Sequence, residues 1–252
     1  MGYPERKKQI LRILDKKESM EVQEIADALG ISAVTIRRDL QQLAEEELLI
    51  RTHGGAMKAP VRHPFTAYAD KENVASAKKK YIGKLAAAMV KPGDTIFMDC
   101  GSTVFTMCAH LKDITPLRII TNSLPVAAAF MDLPGIQVNL AGGEMDGARK
   151  AIHGSKAVEH IKSYHADKAF IGTDGLSAKS GLTAFSETEA GISSAMAAGA
   201  DKVFVLCDST KIGRDSYLKF AKLSAVHVVV TDKEVNVREK EALSEKGVKV
   251  IS

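Results

Sequence analysis

Residues 22–43 read VQEIADALGISAVTIRRDLQQL, and this stretch decides the fold of the amino-terminal part of the chain. Val22, Ile25, Ala26 and Leu29 fall at i, i+3, i+4 and i+7, the apolar stripe of a short helix. Gly30 follows as a left-handed stop. Ser32 is an N-cap for a second helix that lines up Ala33, Ile36, Leu40 and Leu43 on one face. Two short helices around a glycine-containing turn make a helix-turn-helix, and Ile10, Leu11 and Leu14 mark a helix before it. The outward face of the second helix carries Val34, Thr35, Arg37, Arg38, Gln41 and Gln42. Arginine pairs bidentately with guanine, glutamine with adenine, and an aliphatic or threonine methyl touches thymine, so this row suits a recognition helix in a major groove. An Arg-Arg pair alone is the ordinary solvated side of a helix. The glycine turn, the cap and the stretch Leu48–Ala56 raise the DNA reading above it. That stretch reads as a strand, Arg51, His53 and a Gly54-Gly55 turn, the makings of a wing along the phosphates.

The full 252 residues, 45% hydrophobic and 26% charged, describe a globular chain with a real core. No apolar run approaches the ~20 residues that span a bilayer, and the opening residues read as neither a signal peptide nor a myristoylation site. Three cysteines without paired spacing exclude a disulfide scaffold and argue against a zinc cluster. Unpaired in apolar stretches, they point to a reducing, cytoplasmic setting. Without tryptophan, and with 5% aromatics, stacked single-strand binding is a poor fit. Residues 1–57 carry nine Lys/Arg against ten Asp/Glu, while residues 58–80 carry six against two. The basic surplus is thus confined to one short segment.

The expected domains are a winged helix-turn-helix at 1–57, a linker at 58–74 containing Pro60 and Pro64, and an α/β domain at 75–252. A helix from about Ala75 carries Ile82, Leu85, Ala86 and Met89 to a stop at Pro92-Gly93. Continuous apolar runs then recur at Thr95–Met98, Leu117–Ile120, Ile136–Leu140, Ala169–Ile171, Val203–Cys207, Val226–Val230 and Val248–Ile251. Such runs are strands buried on both faces, and the helical stretches between them give a mostly parallel sheet.

Polar clusters follow several of these strands, and open α/β sheets bind ligands beyond the carboxyl ends of their strands. Asp99-Cys100-Gly101-Ser102-Thr103 leads into a helix, offering free N–H groups, two hydroxyls and a positive dipole end to a phosphate. As a lone pentapeptide it is more often a plain strand-turn-helix corner. Thr121-Asn122-Ser123, Gly142-Gly143, Thr173-Asp174-Gly175 and Asp208-Ser209-Thr210-Lys211 occupy corresponding places. Asp99 is read as an acceptor for sugar hydroxyls and Lys211 as the cation for a phosphate. Glu187 is balanced between the pocket and a helix N-terminus.

The string Thr35-Ile36-Arg37-Arg38-Asp39-Leu40 followed by Arg51-x-His53-Gly54-Gly55-Ala56 resembles the DeoR family of bacterial transcription regulators. So do Asp99-x-Gly101-Ser102-Thr103, Thr121-Asn122-Ser123, Gly142-Gly143, Phe170-Ile171-Gly172, Gly181-Leu182-Thr183, Asp208-Ser209-x-Lys211-x-Gly213 and Thr231-Asp232. Two positions depart from the family pattern: Glu47 stands where glycine is usual, and Cys100 where serine is common. The resemblance implies an effector domain like the ribose-5-phosphate isomerase fold. It implies a regulator, most often a repressor of carbohydrate catabolism, that binds a phosphorylated sugar and answers by changing its grip on DNA. DNA contacts are then expected from Ser32, Val34, Thr35, Arg37, Arg38, Gln41, Arg51, His53, Gly54 and Gly55. Effector contacts are expected from Asp99, Gly101, Ser102, Thr103, Thr121, Asn122, Ser123, Gly142, Gly143, Asp174, Gly175, Glu187 and Lys211. No cofactor, metal or catalytic residue is expected. The partners are operator duplex, a sugar phosphate and at least one further copy of the chain. The rival is an isomerase-like enzyme using Asp99, Asp174, Glu187 and Lys211 as acid, base and electrostatic groups. A third reading uses the helix-turn-helix for protein contacts only.

Overall fold

A computed structural model describes residues 2–17, 19–45, 49–52, 54–58 and 75–252. His53, Glu47 and positions 59–74 of the expected linker lie outside them. Two compact units divide at Pro64 and Phe65.

The first unit runs α1 (Tyr3–Lys16), β1 (Ser19–Glu21), α2 (Val22–Leu29), α3 (Ala33–Glu45), β2 (Leu49–Arg51) and β3 (Gly55–Lys58). Gly30 holds φ 64° and closes α2 through N–H bonds to the last turn, as its sequence position predicts. Ile10, Leu14, Ile25, Ile36, Leu40 and Leu43 form the core, and each stabilises the unit by about 1.5–3 kcal/mol on burial. Strand β1 was not foreseen. It is three residues long and pairs antiparallel with β3, Glu21 opposite Gly55, giving a sheet of order β1-β3-β2. Glu21 also starts α2 with a capping box, its side chain taking the Glu24 N–H while Glu24 accepts from the Glu21 N–H at 2.9 Å.

The second unit is built on seven parallel strands: β4 (Thr95–Met98), β5 (Leu117–Thr121), β6 (Ile136–Leu140), β9 (Ala166–Gly172), β12 (Ala200–Leu206), β14 (Val228–Val230) and β15 (Lys249–Ile251). All seven apolar runs read from the sequence are in it. Their order is β15-β14-β12-β9-β4-β5-β6. The chain enters at β4, moves outward through β5 and β6, then returns to β9 on the other side of β4 and moves outward again. Alternation along each strand feeds two cores. Ile96 and Met98 pack with Ile82, Ala86, Val104, Leu111 and Phe130. Phe97, Ala169 and Ile171 pack with Ala157, Ile161, Ile192 and Met196. The first face carries α4 (Ser76–Ala87), α5 (Ser102–Phe105), α6 (Cys108–Leu111) and α7 (Leu124–Phe130); the second carries α8 (Ser155–Lys162), α9 (Glu187–Ala198) and α10 (Val237–Glu245).

Two antiparallel additions were also unforeseen. One is the hairpin β7 (Glu144–Asp146) with β8 (Ala151–His153). The other is a small sheet of β10 (Gly175–Ser177), β11 (Gly181–Ala184) and β13 (Leu218–Ala221).

Candidate functional site

On α3, Val34, Arg37, Arg38 and Gln41 are exposed and fall at i, i+3, i+4 and i+7, one stripe opposite the buried Ile36, Leu40 and Leu43. Val34 is 71% exposed and places an aliphatic side chain on this stripe. Ser32 caps the helix: its Oγ accepts from the Thr35 N–H at 3.3 Å and lies 2.9 Å from Thr35 Oγ1. The acid within the helix does not face this stripe. Asp39 is buried and takes a bidentate bond from Arg6 of α1, Nε to Oδ2 at 2.6 Å and Nη2 to Oδ1 at 2.9 Å. The bond to Asp39 holds the Arg6 guanidinium above its ordinary pKa. Arg37 and Arg38 therefore keep their charge at the surface while Asp39 ties α3 to α1. Arg51 of β2 donates to Gln41 Oε1 at 3.0 Å, joining the strand that leads into the wing to the recognition stripe.

Gly54 is exposed at the wing turn, but Gly55 is buried beneath β1. A side chain at Gly55 would collide with the Met20 carbonyl, so this glycine is required by strand packing and presents no side to DNA. Its N–H bonds Thr52 Oγ1 at 3.1 Å.

In the second unit, β4 and β9 are the strands between which the chain reverses its direction of travel across the sheet. Such a switch point leaves a crevice at the strands' carboxyl ends. A cleft of about 60 Å³ opens there, lined among others by Asp99, Cys100, Gly101, Ser102, Thr103, Thr173, Asp174, Glu189, Ser193 and Lys211. One water needs ~10–15 Å³, so the cleft has room for a polar group of phosphate size. Its floor is the turn into α5. Phe105 N–H bonds Gly101 O at 2.9 Å, so the first N–H groups of the turn, from Ser102 to Val104, have no partner within the helix. α5 is only one turn long and breaks before α6, so its dipole contributes less than the sequence suggests.

Asp99 differs from its expected role. Its Oδ1 accepts from Gly101 N–H at 2.8 Å and its Oδ2 from Gly172 N–H at 2.6 Å and Ser193 Oγ at 3.3 Å. The carboxylate is spent on clamping β4, β9 and α9 around the turn, which positions the turn's N–H groups. Lys211 reaches the cleft and donates to Thr173 O at 2.8 Å. Asp174 lines it while accepting from Phe185 N–H at 3.1 Å.

Several expected effector residues lie outside the cleft. Thr121, Asn122 and Ser123 have no exposed surface and serve the backbone. Thr121 Oγ1 donates to Met98 O at 2.6 Å, Asn122 Nδ2 to Ile152 O at 3.0 Å, and Ser123 Oγ caps α7. Gly142 and Gly143 follow β6, an outer strand of the sheet, two places from β4 and three from β9. Gly175 is buried in β10 opposite Thr183. Glu187 points to the surface at the start of α9. Glu189, one half-turn on, lines the cleft instead and is ion-paired with the buried Arg149 from the turn between β7 and β8.

The sequence reading also missed Lys79. It is 5% exposed, and its ammonium donates to Ser102 Oγ at 3.1 Å. A Lys78-Lys79-Lys80 run reads as solvated charge; the signal was its place on a helix whose apolar residues Ile82 and Ala86 lie one and two turns further along the same face.

Residues 6–59 match the DeoR-like helix-turn-helix domain and residues 74–233 match the DeoR C terminal sensor domain. The HTH-type transcriptional repressor GlcR of Bacillus subtilis (strain 168) is 32% identical over 251 residues, 100% of this chain and 96% of GlcR. The glycerol-3-phosphate regulon repressor of Escherichia coli (strain K12) is 29% identical over 232 residues, 92% of each chain. Among solved structures, ribose 5-phosphate isomerase A from Methanocaldococcus jannaschii is 20% identical, covers 53% of this chain and 52% of its own, and aligns at a TM-score of 0.39. Neither activity nor lineage follows from a likeness of that size. The two domain matches and the end-to-end relatives decide the matter: the chain belongs to the DeoR family of helix-turn-helix transcription regulators.

Proposed function

We propose that this regulator is a repressor of a carbohydrate-utilisation operon whose affinity for its operator is set by a phosphorylated sugar held in the β4–β9 cleft. The observation that carries the reading is the cleft itself: turn N–H groups without a partner in their helix, the hydroxyls of Ser102 and Thr103 and the cation of Lys211 meet at a switch point. That donor set fits a phosphomonoester. Asp174 and Glu189 line the same cleft and offer acceptors for sugar hydroxyls. The engagement of Asp99 by two N–H groups and a hydroxyl removes the group best placed to act as a base, which favours a sensor over an isomerase-like enzyme. Val34, Arg37, Arg38, Gln41 and Arg51 read the duplex, and Ser32 and Thr35 hold the helix start. Half-sites of an operator are read by a dimer or a larger assembly. The relatives' names, a repressor and a regulon repressor, support the repressing sign.

The test is a thermal-shift and calorimetric panel of phosphorylated pentoses, hexoses and trioses on the full chain. A ligand at 100 times its Kd stabilises by about 2.7 kcal/mol. Lys211→Ala should weaken that ligand about 10- to 100-fold, the loss of a charged hydrogen bond worth about 1.5–3 kcal/mol. A flat panel, or a ligand that Lys211→Ala binds as tightly, overturns the assignment.

A further inference from the structure

We infer that the first turn of α4 reads the occupancy of the cleft: Lys79 senses the bound anion through the Ser102 hydroxyl that it holds, and Lys78 positions that turn against the loop carrying Lys211. The inference rests on the reading of the cleft as a phosphate-binding site. Two consecutive lysines reach two different loops. Lys79 Nζ donates to Ser102 Oγ at 3.1 Å, at the carboxyl end of β4. Lys78 Nζ donates to Ser209 Oγ at 3.0 Å and to Glu234 Oε2 at 2.7 Å, and lies 3.4 Å from Asp232 Oδ1. Ser209 opens the single turn Ser209–Lys211 after β12, and its N–H is fixed to Asp232 Oδ2 at 2.7 Å. β4 and β12 flank β9, so the two loops stand on either side of the cleft. An anion that settles on the Ser102 hydroxyl and on Lys211 therefore acts on both grips of this turn at once.

The turn is also built to change. Its backbone is held by Thr106 Oγ1, which donates to Lys79 O at 2.8 Å, and by Lys79 N–H on Ala75 O at 3.0 Å. Ala75 sits at φ 54°, ψ 33°, a left-handed conformation that alanine rarely holds. A return of Ala75 to right-handed geometry would lengthen α4 by one residue. Lys79 N–H is bonded to Ala75 O, so a small change at Lys79 reaches this residue directly. That supplies the two-state element that effector control requires.

The experiment uses the full chain with inorganic phosphate as probe. It follows phosphate affinity by calorimetry and amide hydrogen exchange in peptides covering residues 76–82. Phosphate should change exchange in that segment at least fivefold in the native chain. Lys78→Met should keep phosphate affinity within threefold and show less than a twofold exchange response. Lys156→Met, at an exposed lysine paired among the described residues with Glu159 of its own helix, should behave as native. Ala75→Gly, which relieves the left-handed strain at the loss of one half-buried methyl, should shrink the exchange response at the same phosphate concentration. Phosphate that binds the native chain without changing exchange at 76–82 overturns the inference. So does a full response in Lys78→Met and Ala75→Gly, or a tenfold loss of phosphate binding in Lys78→Met. Failure of phosphate to bind the native chain at all refutes the cleft reading itself, and with it this one.

Discussion

Replacing Gly55 by alanine strikes the amino-terminal unit at its tightest point. A Cβ there would sit 2.0 Å from the Met20 carbonyl oxygen, 2.7 Å from Glu21 Cα and 2.8 Å from the Met20 carbonyl carbon. All three are backbone atoms, so relief comes only by pulling β1 away from β3. Overpacking of this kind costs about 1–3 kcal/mol. Separating the strands also loses ladder hydrogen bonds at about 1 kcal/mol each, and it disturbs the capping box at Glu21, worth about 1 kcal/mol. The sum is about 3–5 kcal/mol, against roughly 3–9 kcal/mol for a unit of this size. Amide exchange on the full chain should therefore rise at least a hundredfold across residues 19–58 and stay unchanged in β4, β9 and β12. Gly54→Ala is the control: nothing lies within 4 Å of its Cβ, and its effect should stay within about 0.5 kcal/mol. Equal protection in the two variants would refute the strand packing described for the wing. It would return Gly55 to the role its motif suggests, a phosphate contact.

Arg38→Ala should weaken binding to a selected duplex about 10- to 100-fold, from the ~1–3 kcal/mol of one bidentate base contact, and relax preference at one base pair; footprints on selected and scrambled sites check both. Burial pushes the thiols of Cys108 and Cys207 up to about 12, so iodoacetamide at neutral pH should label the half-buried Cys100 alone, more slowly when a ligand fills the cleft that Cys100 lines. Labelling of Cys207 in the folded chain would contradict the packing of β12. Burial works to raise the pKa of Asp232, but the Ser209 and Glu234 N–H groups, the Ser209 side chain and Lys78 outweigh it and hold the carboxyl below its ordinary value. Such a group contributes stability that is present above about pH 3.9 and is lost as pH falls through the lower folded value. Denaturant midpoints of the second unit should fall with acid in that window, and Asp232→Asn should flatten the fall.

The strands of the parallel sheet were readable because burial on both faces writes itself as uninterrupted Val, Ile, Leu and Phe. The helix-turn-helix was readable because Gly30 and Ser32 punctuate it. β1 escaped notice because three residues with a single buried side chain, Met20, carry no period. The hairpin β7–β8 and the sheet of β10, β11 and β13 escaped for the same reason. At the site, sequence gave the turn at Gly101–Thr103 and the cation at Lys211 but misjudged the acids. Polar residues after a strand are equally suited to a ligand and to the protein's own backbone, and only geometry separates Lys211 from Asn122. Glu187 and Glu189 differ by two positions on one helix, and half a turn decides which faces the cleft.

The proposed function requires that one molecule couple a phosphate cleft to a DNA-reading helix. Its most direct measurement is the affinity of the full chain for a duplex it has selected from a random library, with and without the sugar phosphate giving the largest thermal shift. The ligand should change that affinity at least tenfold, a coupling of about 1.4 kcal/mol, and Lys211→Ala should abolish the change while leaving ligand-free DNA binding intact. An affinity that is the same with the cleft filled and empty would contradict it.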